Sequence, residues 1–196
     1  MQRSDGTFQK RLHRWESGPI TRYLTFSCFG RQQLLTPEFT ALFAALLARC
    51  ISKYGFGLIA WVIMPEHVHF IVEPPPSEQP LMPKFLRSLK QPLGQRLVAT
   101  YRRRGISLAS ITNSRGDRQV WQDGGGFDRN VRTLDELKRE VAYIHRNPVE
   151  RGLVATPTDW EWSSARWYAG IRGEDAGWGG RIPIVKSRAD WGLQNP

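Results

Sequence analysis

Residues 57–73 read GLIAWVIMPEHVHFIVE. The run from Gly57 to Met64 is apolar almost throughout and short, the pattern of a central strand. Met64-Pro65-Glu66 interrupts it, and HVHFIVE resumes as a second strand over 67–73. So brief a separation predicts an antiparallel hairpin or a bulged turn. Successive side chains of a strand point to opposite faces, so Val68, Phe70 and Val72 form an apolar face. His67 and His69 share the other face, roughly 6.6–6.8 Å apart along the chain.

Upstream, YLTFSCF (23–29) sets Leu24, Phe26 and Cys28 on one face and Tyr23, Thr25 and Ser27 on the other, which predicts another strand. Thr36 caps a helix with Pro37 in its first position, and apolar residues at 39, 42, 43, 46, 47 and 50 give it one buried face. Gly55 and Gly57 close it. Downstream, PPPSEQP is a connector, and residues 83–104 are helix-like with a break or kink expected at Pro92. Residues 105–130 form a loop region around VWQ, with room for one more strand, and Gly124 to Gly126 suit a mobile loop. Thr133 and Glu136 make a capping box for a further helix, which Pro148 is expected to end after Asn147. This order of elements predicts an α+β fold, an antiparallel sheet with helices packed mainly on one face. Residues 1–19 read as a loose basic arm, 20–168 as one domain, and 169–196 as a Gly-rich tail with no assigned role.

The chain has 196 residues, 40% of them hydrophobic, which suits one domain with a packed core and excludes a wholly disordered basic tail. Lys and Arg number 28 against 18 Asp and Glu, so the net charge is +10 and the pI near 10.2. That balance points to a polyanion. The basic residues do not gather on an amphipathic helix with a bulky apolar face, so nucleic acid fits better than a membrane surface. Cys28 and Cys50 are too few and too far apart for a disulfide framework or a cysteine-rich zinc site, and read as reduced, buried thiols. No stretch resembles a signal peptide or nears the roughly 18 apolar residues of a membrane span, so a cytoplasmic, nucleoid-associated location is expected.

Two imidazoles converging from one sheet face can hold a divalent cation if another element supplies further ligands. They also suit a half-exposed surface strand. In TLDELKREVAYIHRNP the apolar stripe is Leu134, Leu137, Val141 and Ile144. At about 100° per residue, Tyr143 lies roughly 140° from the centre of that stripe. Asn147 follows one turn later on the same polar face, which Glu136 and Glu140 share. His145, at the margin of the stripe, reads as a packing residue. A cation held by His67, His69 and the Asn147 side-chain oxygen would polarise a phosphodiester, with Tyr143 as nucleophile. Phosphate contacts fit Lys84, Arg87, Lys90, Arg102, Arg103 and Arg104 in one helical region, and Arg129, Arg132 and Arg146 around the tyrosine helix. Trp121, Trp160, Trp162 and Trp167 suit core or lid positions better than stacking on unpaired bases.

WVIMPEHVHFIV resembles the "MPNHVH" signature of HUH single-tyrosine transposases, and YIHRNPVERGLV resembles the block carrying their tyrosine. The order TFSCF, HVH strand, WQ…GFDR, tyrosine helix and DWEWSS is most similar to the REP-associated tyrosine transposases, over roughly residues 20–168. The resemblance implies a ferredoxin-like or RRM-like sheet, a Mg²⁺ or Mn²⁺ cofactor, and hairpins in single-stranded DNA as partner. It also implies cleavage through a 5′-phosphotyrosine, with Tyr143 as nucleophile and His67, His69 and Asn147 as metal ligands. Glu66 departs from the motif's Asn; it and Glu140 are candidates to support the ligands. Competing readings are a non-catalytic hairpin binder and a metal-dependent nuclease using water. Monomer and homodimer both remain open at this level.

Overall fold

Four antiparallel strands, β1 (Arg22–Ser27), β2 (Gly57–Ile63), β3 (His67–Glu73) and β4 (Phe127–Asn130), form one sheet in the order β2-β3-β1-β4. The computed structural model describes residues 20–77, 81–123 and 126–185. β2 and β3 make the expected hairpin across Met64–Glu66, where the Met64 N–H donates to the His67 carbonyl at 2.8 Å. A bulge between Leu58 and Ala60 changes the alternation of β2. Ile59, Ala60, Val62 and Met64 serve one face and Leu58, Trp61 and Ile63 the other, so the strand is buried on both sides.

Two long helices, α1 (Pro37–Tyr54) and α2 (Leu81–Arg103), cover the apolar face of the sheet. Phe39, Phe43 and Leu47 of α1, with Phe85, Leu89, Leu93 and Leu97 of α2, pack on Leu24, Phe26, Val68 and Phe70. Thr36 stands at the N-cap of α1 without a side-chain capping bond, and Gly55 ends the helix in the left-handed conformation at φ 68°. α3 (Leu134–Glu150) lies on the opposite face, where Leu137 and Ile144 meet Tyr23, Ile59, Val62 and Ile71. The tyrosine helix thus covers the histidine face. Cys28 and Cys50 are both free and buried, as anticipated.

Two proline expectations need correction. α2 runs unbroken through Pro92. An internal proline costs about 3 kcal/mol, but Phe85, Leu89, Leu93 and Leu97 each contribute about 1.5–3 kcal/mol by burial, so packing prevails. α3 continues through Pro148 to Glu150 instead of stopping at Asn147. Pro148 sits in the last turn and is itself buried, and the Leu153 N–H closes onto its carbonyl at 2.9 Å. At the N-terminus of α3 half of the expected capping box forms: the Glu136 N–H donates to Thr133 Oγ1 at 3.2 Å, while the Glu136 carboxylate accepts from the Arg132 N–H.

VWQ supplies only a single bridge, Trp121 to Cys28; the late strand is β4, paired with β1. Gly126 leads into it at φ +79°, and a Cβ there would lie 1.8 Å from the Thr25 carbonyl oxygen, so only glycine passes. Gly124, Gly125, the basic arm and residues 186–196 lie outside the described residues. Within residues 169–185, Ala176, Gly179 and Ile182 are buried. Along the free edge of β2, the Ile63 N–H donates to Trp162 O at 2.9 Å and the Val185 N–H to Leu58 O at 2.9 Å. Beyond the short helices α4 (Ala165–Tyr168) and α5 (Trp178–Arg181), Ile182 is buried in the main core, and Trp178 stacks on Trp162. Trp162, Ser164 and Val185 together blunt an edge that would otherwise offer unpaired backbone groups. Among the described residues no helix is long and apolar enough to cross a membrane. Ile182→Ala is therefore expected to destabilise the fold by about 2–4 kcal/mol, read from urea unfolding; a change below about 0.5 kcal/mol would contradict this packing role.

Candidate active site

β3 presents His67 and His69 side by side, ring centroids 4.6 Å apart, at 4% and 6% exposure beneath α3. The Tyr143 ring stands edge-on to His69 at 5.6 Å, and Tyr143 is 43% exposed. A phenol open to solvent thus sits over two buried imidazoles. One turn on, Asn147 is buried, its Nδ2 3.4 Å from His69 Nε2. Its Oδ1 is a buried oxygen without a hydrogen-bond partner among the described residues. The four residues expected to form the centre come together within one chain.

The surrounding shell explains the ring orientations. His69 Nδ1 lies 2.8 Å from the Tyr23 hydroxyl and 2.6 Å from Thr25 Oγ1, which leaves Nε2 toward Asn147. Neither Tyr23 nor Thr25 was singled out from the sequence. Alternation alone puts them on one face of β1, but only the register, Thr25 opposite His69, gives the contact. His67 Nδ1 lies 3.1 Å from Glu66 Oε1, and the same carboxylate pairs with Arg151. Glu66 therefore supports a candidate ligand. Glu140 instead bonds Arg129, which also takes Glu136. Arg31 adopts the left-handed backbone at φ 56°.

Electrostatics keep the imidazoles neutral. Burial above all, then His67 and Arg31, lowers the His69 pKa to about 3. Burial also lowers His67, and Glu66 opposes that shift. Neutral imidazole is the ligating form. No group of three or more His, Cys, Asp or Glu side chains is arranged around a metal position among the described residues. The donor set on offer is two imidazole nitrogens and the orphaned Asn147 oxygen, with further positions left for water or phosphate oxygens. That mixed nitrogen and oxygen set suits a divalent cation. His145 behaves as a packing residue: Nε2 is 2.8 Å from Ser164 Oγ, which accepts from the Trp61 N–H at 3.0 Å.

The nine basic residues expected to touch DNA do not form one patch. Arg87, Lys90 and Arg102 line a cavity of about 540 Å³ between α2 and residues 118–121, together with Arg118, Gly94 and Trp121. Lys84 and Arg103 are exposed on the same helix, while Arg104 pairs with Glu38 at 2.8 Å. On the opposite face, Arg129 is held by Glu136 and Glu140, and Arg146 lies 3.6 Å from Glu150. The Arg132 N–H donates to Glu136. The tryptophans pack: Trp121 Nε1 donates to the Lys90 carbonyl, Trp160 Nε1 to the Ile63 carbonyl, and Trp167 lies against Tyr168.

A pH effect follows for the metal-free protein. His69 and His145 have folded pKa values of about 3 and about 4, both lowered chiefly by burial from an ordinary value of 6.5. Below about pH 6.5 the unfolded chain binds protons that the fold refuses, so stability is full above that pH and falls toward pH 4. The loss should be on the order of 5 kcal/mol, read as a falling thermal midpoint in chelator; His145→Gln should flatten the fall. A midpoint constant from pH 7 to 4.5 would contradict this.

The family model described as "Transposase IS200 like" matches residues 21–124, just over half of the chain and inclusive of both histidines. The chain is 26% identical over 134 residues to the REP-associated tyrosine transposase of Escherichia coli K12, covering 68% of each protein. It is 25% identical over 179 residues to the putative REP-associated tyrosine transposase of Haemophilus influenzae, covering 86% of this chain and 92% of that one. Among solved structures, the REP-associated tyrosine transposase bound to a REP hairpin aligns with a TM-score of 0.63 at 22% identity, over 90% of this chain and 93% of that one. This last likeness speaks for the fold. The chain belongs to the IS200-like transposase family, whose members are enzymes.

Proposed function

We propose that this transposase nicks and rejoins single-stranded DNA beside a hairpin through a 5′-phosphotyrosine on Tyr143. The observation carrying the reading is an exposed phenol 5.6 Å, ring to ring, from a buried neutral imidazole, with the unpaired Asn147 oxygen beside it. Tyr143 Oη attacks the phosphorus and forms the P–O bond to tyrosine as the bond to the 3′ oxygen breaks, and the phenolic proton departs to solvent. The 3′ end leaves as a hydroxyl. Because one ester replaces another, a second 3′-hydroxyl can reverse the step and join a new end without external energy.

A divalent cation, Mg²⁺ or Mn²⁺, held by His67, His69 and Asn147 would neutralise charge on the phosphate and favour the phenolate. Tyr23 and Thr25 engage Nδ1 of His69, and Glu66 engages Nδ1 of His67, which leaves each Nε2 as the nitrogen that would ligate. Residues 20–168 form the catalytic unit in this reading, working in the cytoplasm at the nucleoid. The hairpin-bound solved relative supports hairpin DNA as partner. The cavity side chains Arg87 and Arg102 make no ion pair among the described residues, which suits phosphate contact.

Labelled hairpin DNA with Mn²⁺ on a denaturing gel tests the chemistry. A covalent band should form, vanish with chelator, and drop at least about a thousandfold in Tyr143→Phe. Cleavage without an adduct would instead indicate water as nucleophile, and binding without cleavage a hairpin binder. On the cavity side, Arg87→Ala and Arg102→Ala should each reduce the salt slope of DNA affinity by about one, measured by fluorescence anisotropy. An unchanged slope removes those residues from the DNA surface.

A further inference from the structure

The contacts around the two histidines form a closed circuit. His67 Nδ1 meets Glu66 Oε1 at 3.1 Å, and the same oxygen is bound by Arg151 Nη2. The Arg151 backbone N–H donates to the Asn147 carbonyl at 3.1 Å, and the Asn147 side chain returns to His69 Nε2 at 3.4 Å. His67 and His69 are joined through β3. Glu66 is 3% exposed, so its charge is withdrawn from water and needs its partners. Arg151 is half exposed and lies just past the end of α3, the helix that carries both Tyr143 and Asn147.

The rest of α3 is anchored elsewhere. Leu137 and Ile144 pack into the second core, and His145 bonds Ser164. Pro148, lacking an N–H, removes the bond that would tie the last turn to Ile144. The turn bearing Asn147 therefore has weaker support from its own helix, and the Glu66–Arg151 pair crosses at that point to the hairpin turn that starts β3.

We infer that Glu66 and Arg151 are positioning residues: their ion pair clasps the last turn of α3 to the histidine strand and so sets the spacing of Asn147 from His67 and His69. This rests on the proposed metal site. Glu66 acts on both halves of that site, fixing the His67 ring through Nδ1 and holding Asn147 through Arg151.

Two readouts on the full chain test it: Mn²⁺ affinity by titration calorimetry, and hydrogen exchange of the 147–151 amides in metal-free protein. Arg151→Ala should speed that exchange and weaken Mn²⁺ binding, each about threefold, as a partly exposed ion pair permits. Arg151→Lys should restore both to within about twofold. Glu66→Gln, which also disturbs His67, should weaken Mn²⁺ binding about tenfold, whereas Tyr143→Phe should leave it unchanged. Wild-type exchange in Arg151→Ala overturns the clasp, whether or not the ion binds. Wild-type Mn²⁺ affinity in Arg151→Ala overturns the positioning role even where exchange rises. A wild-type protein that binds no Mn²⁺ fails the metal site first, and the positioning role with it.

Discussion

The molecule depends on burying polar imidazoles between a sheet and a helix. His67 and His69 are almost inaccessible, yet they lie on the face where Ile71, Ile59 and Val62 also pack under α3. Buried polar groups are tolerated only when satisfied. Tyr23, Thr25 and Glu66 meet the Nδ1 atoms, and Asn147 comes down from α3 to meet Nε2 of His69. One oxygen, Oδ1 of Asn147, is left over. The apolar part of the same interface, Leu137 and Ile144 included, supplies the stabilisation that keeps this polar layer in place.

The two faces of the sheet divide the labour. Aromatic and leucine side chains of α1 and α2 make a large dry core on one side. On the other, a smaller apolar cluster lies beside the histidines and leaves Tyr143 at the solvent boundary. Side-chain alternation in β3 connects the halves: Val68, Phe70 and Val72 anchor the strand while His67 and His69 remain available. Trp162, Ser164 and Val185 have a related duty, covering the outer edge of β2 with backbone bonds.

Much of this was legible in the sequence, because local periodicity is a strong signal. The β2–β3 hairpin, the apolar face of α1, the Thr133 cap of α3 and the shared face of the two histidines all follow from spacing between near neighbours. So does the joint placement of Tyr143 and Asn147. What escaped notice was set by long-range register or by competition between terms. Thr25 meets His69 only because β1 and β3 pair in one particular alignment. Arg151 meets Glu66 across 85 residues of sequence. Pro92 and Pro148 carry breaking signals that tertiary packing overrides. The contribution of residues 169–185, Ile182 in the main core and the single bond from Val185 to Leu58, leaves no periodic trace in the sequence.

Gly126 shows how a remote loop reaches the reaction centre. Its backbone crosses so near the Thr25 carbonyl that any side chain would force β4 and β1 apart. Thr25 is also the residue whose hydroxyl steadies His69. The displacement caused by a methyl group added there would thus pass through one strand to the His69 ring. The His69 ring would shift without any change in the chemical groups around it.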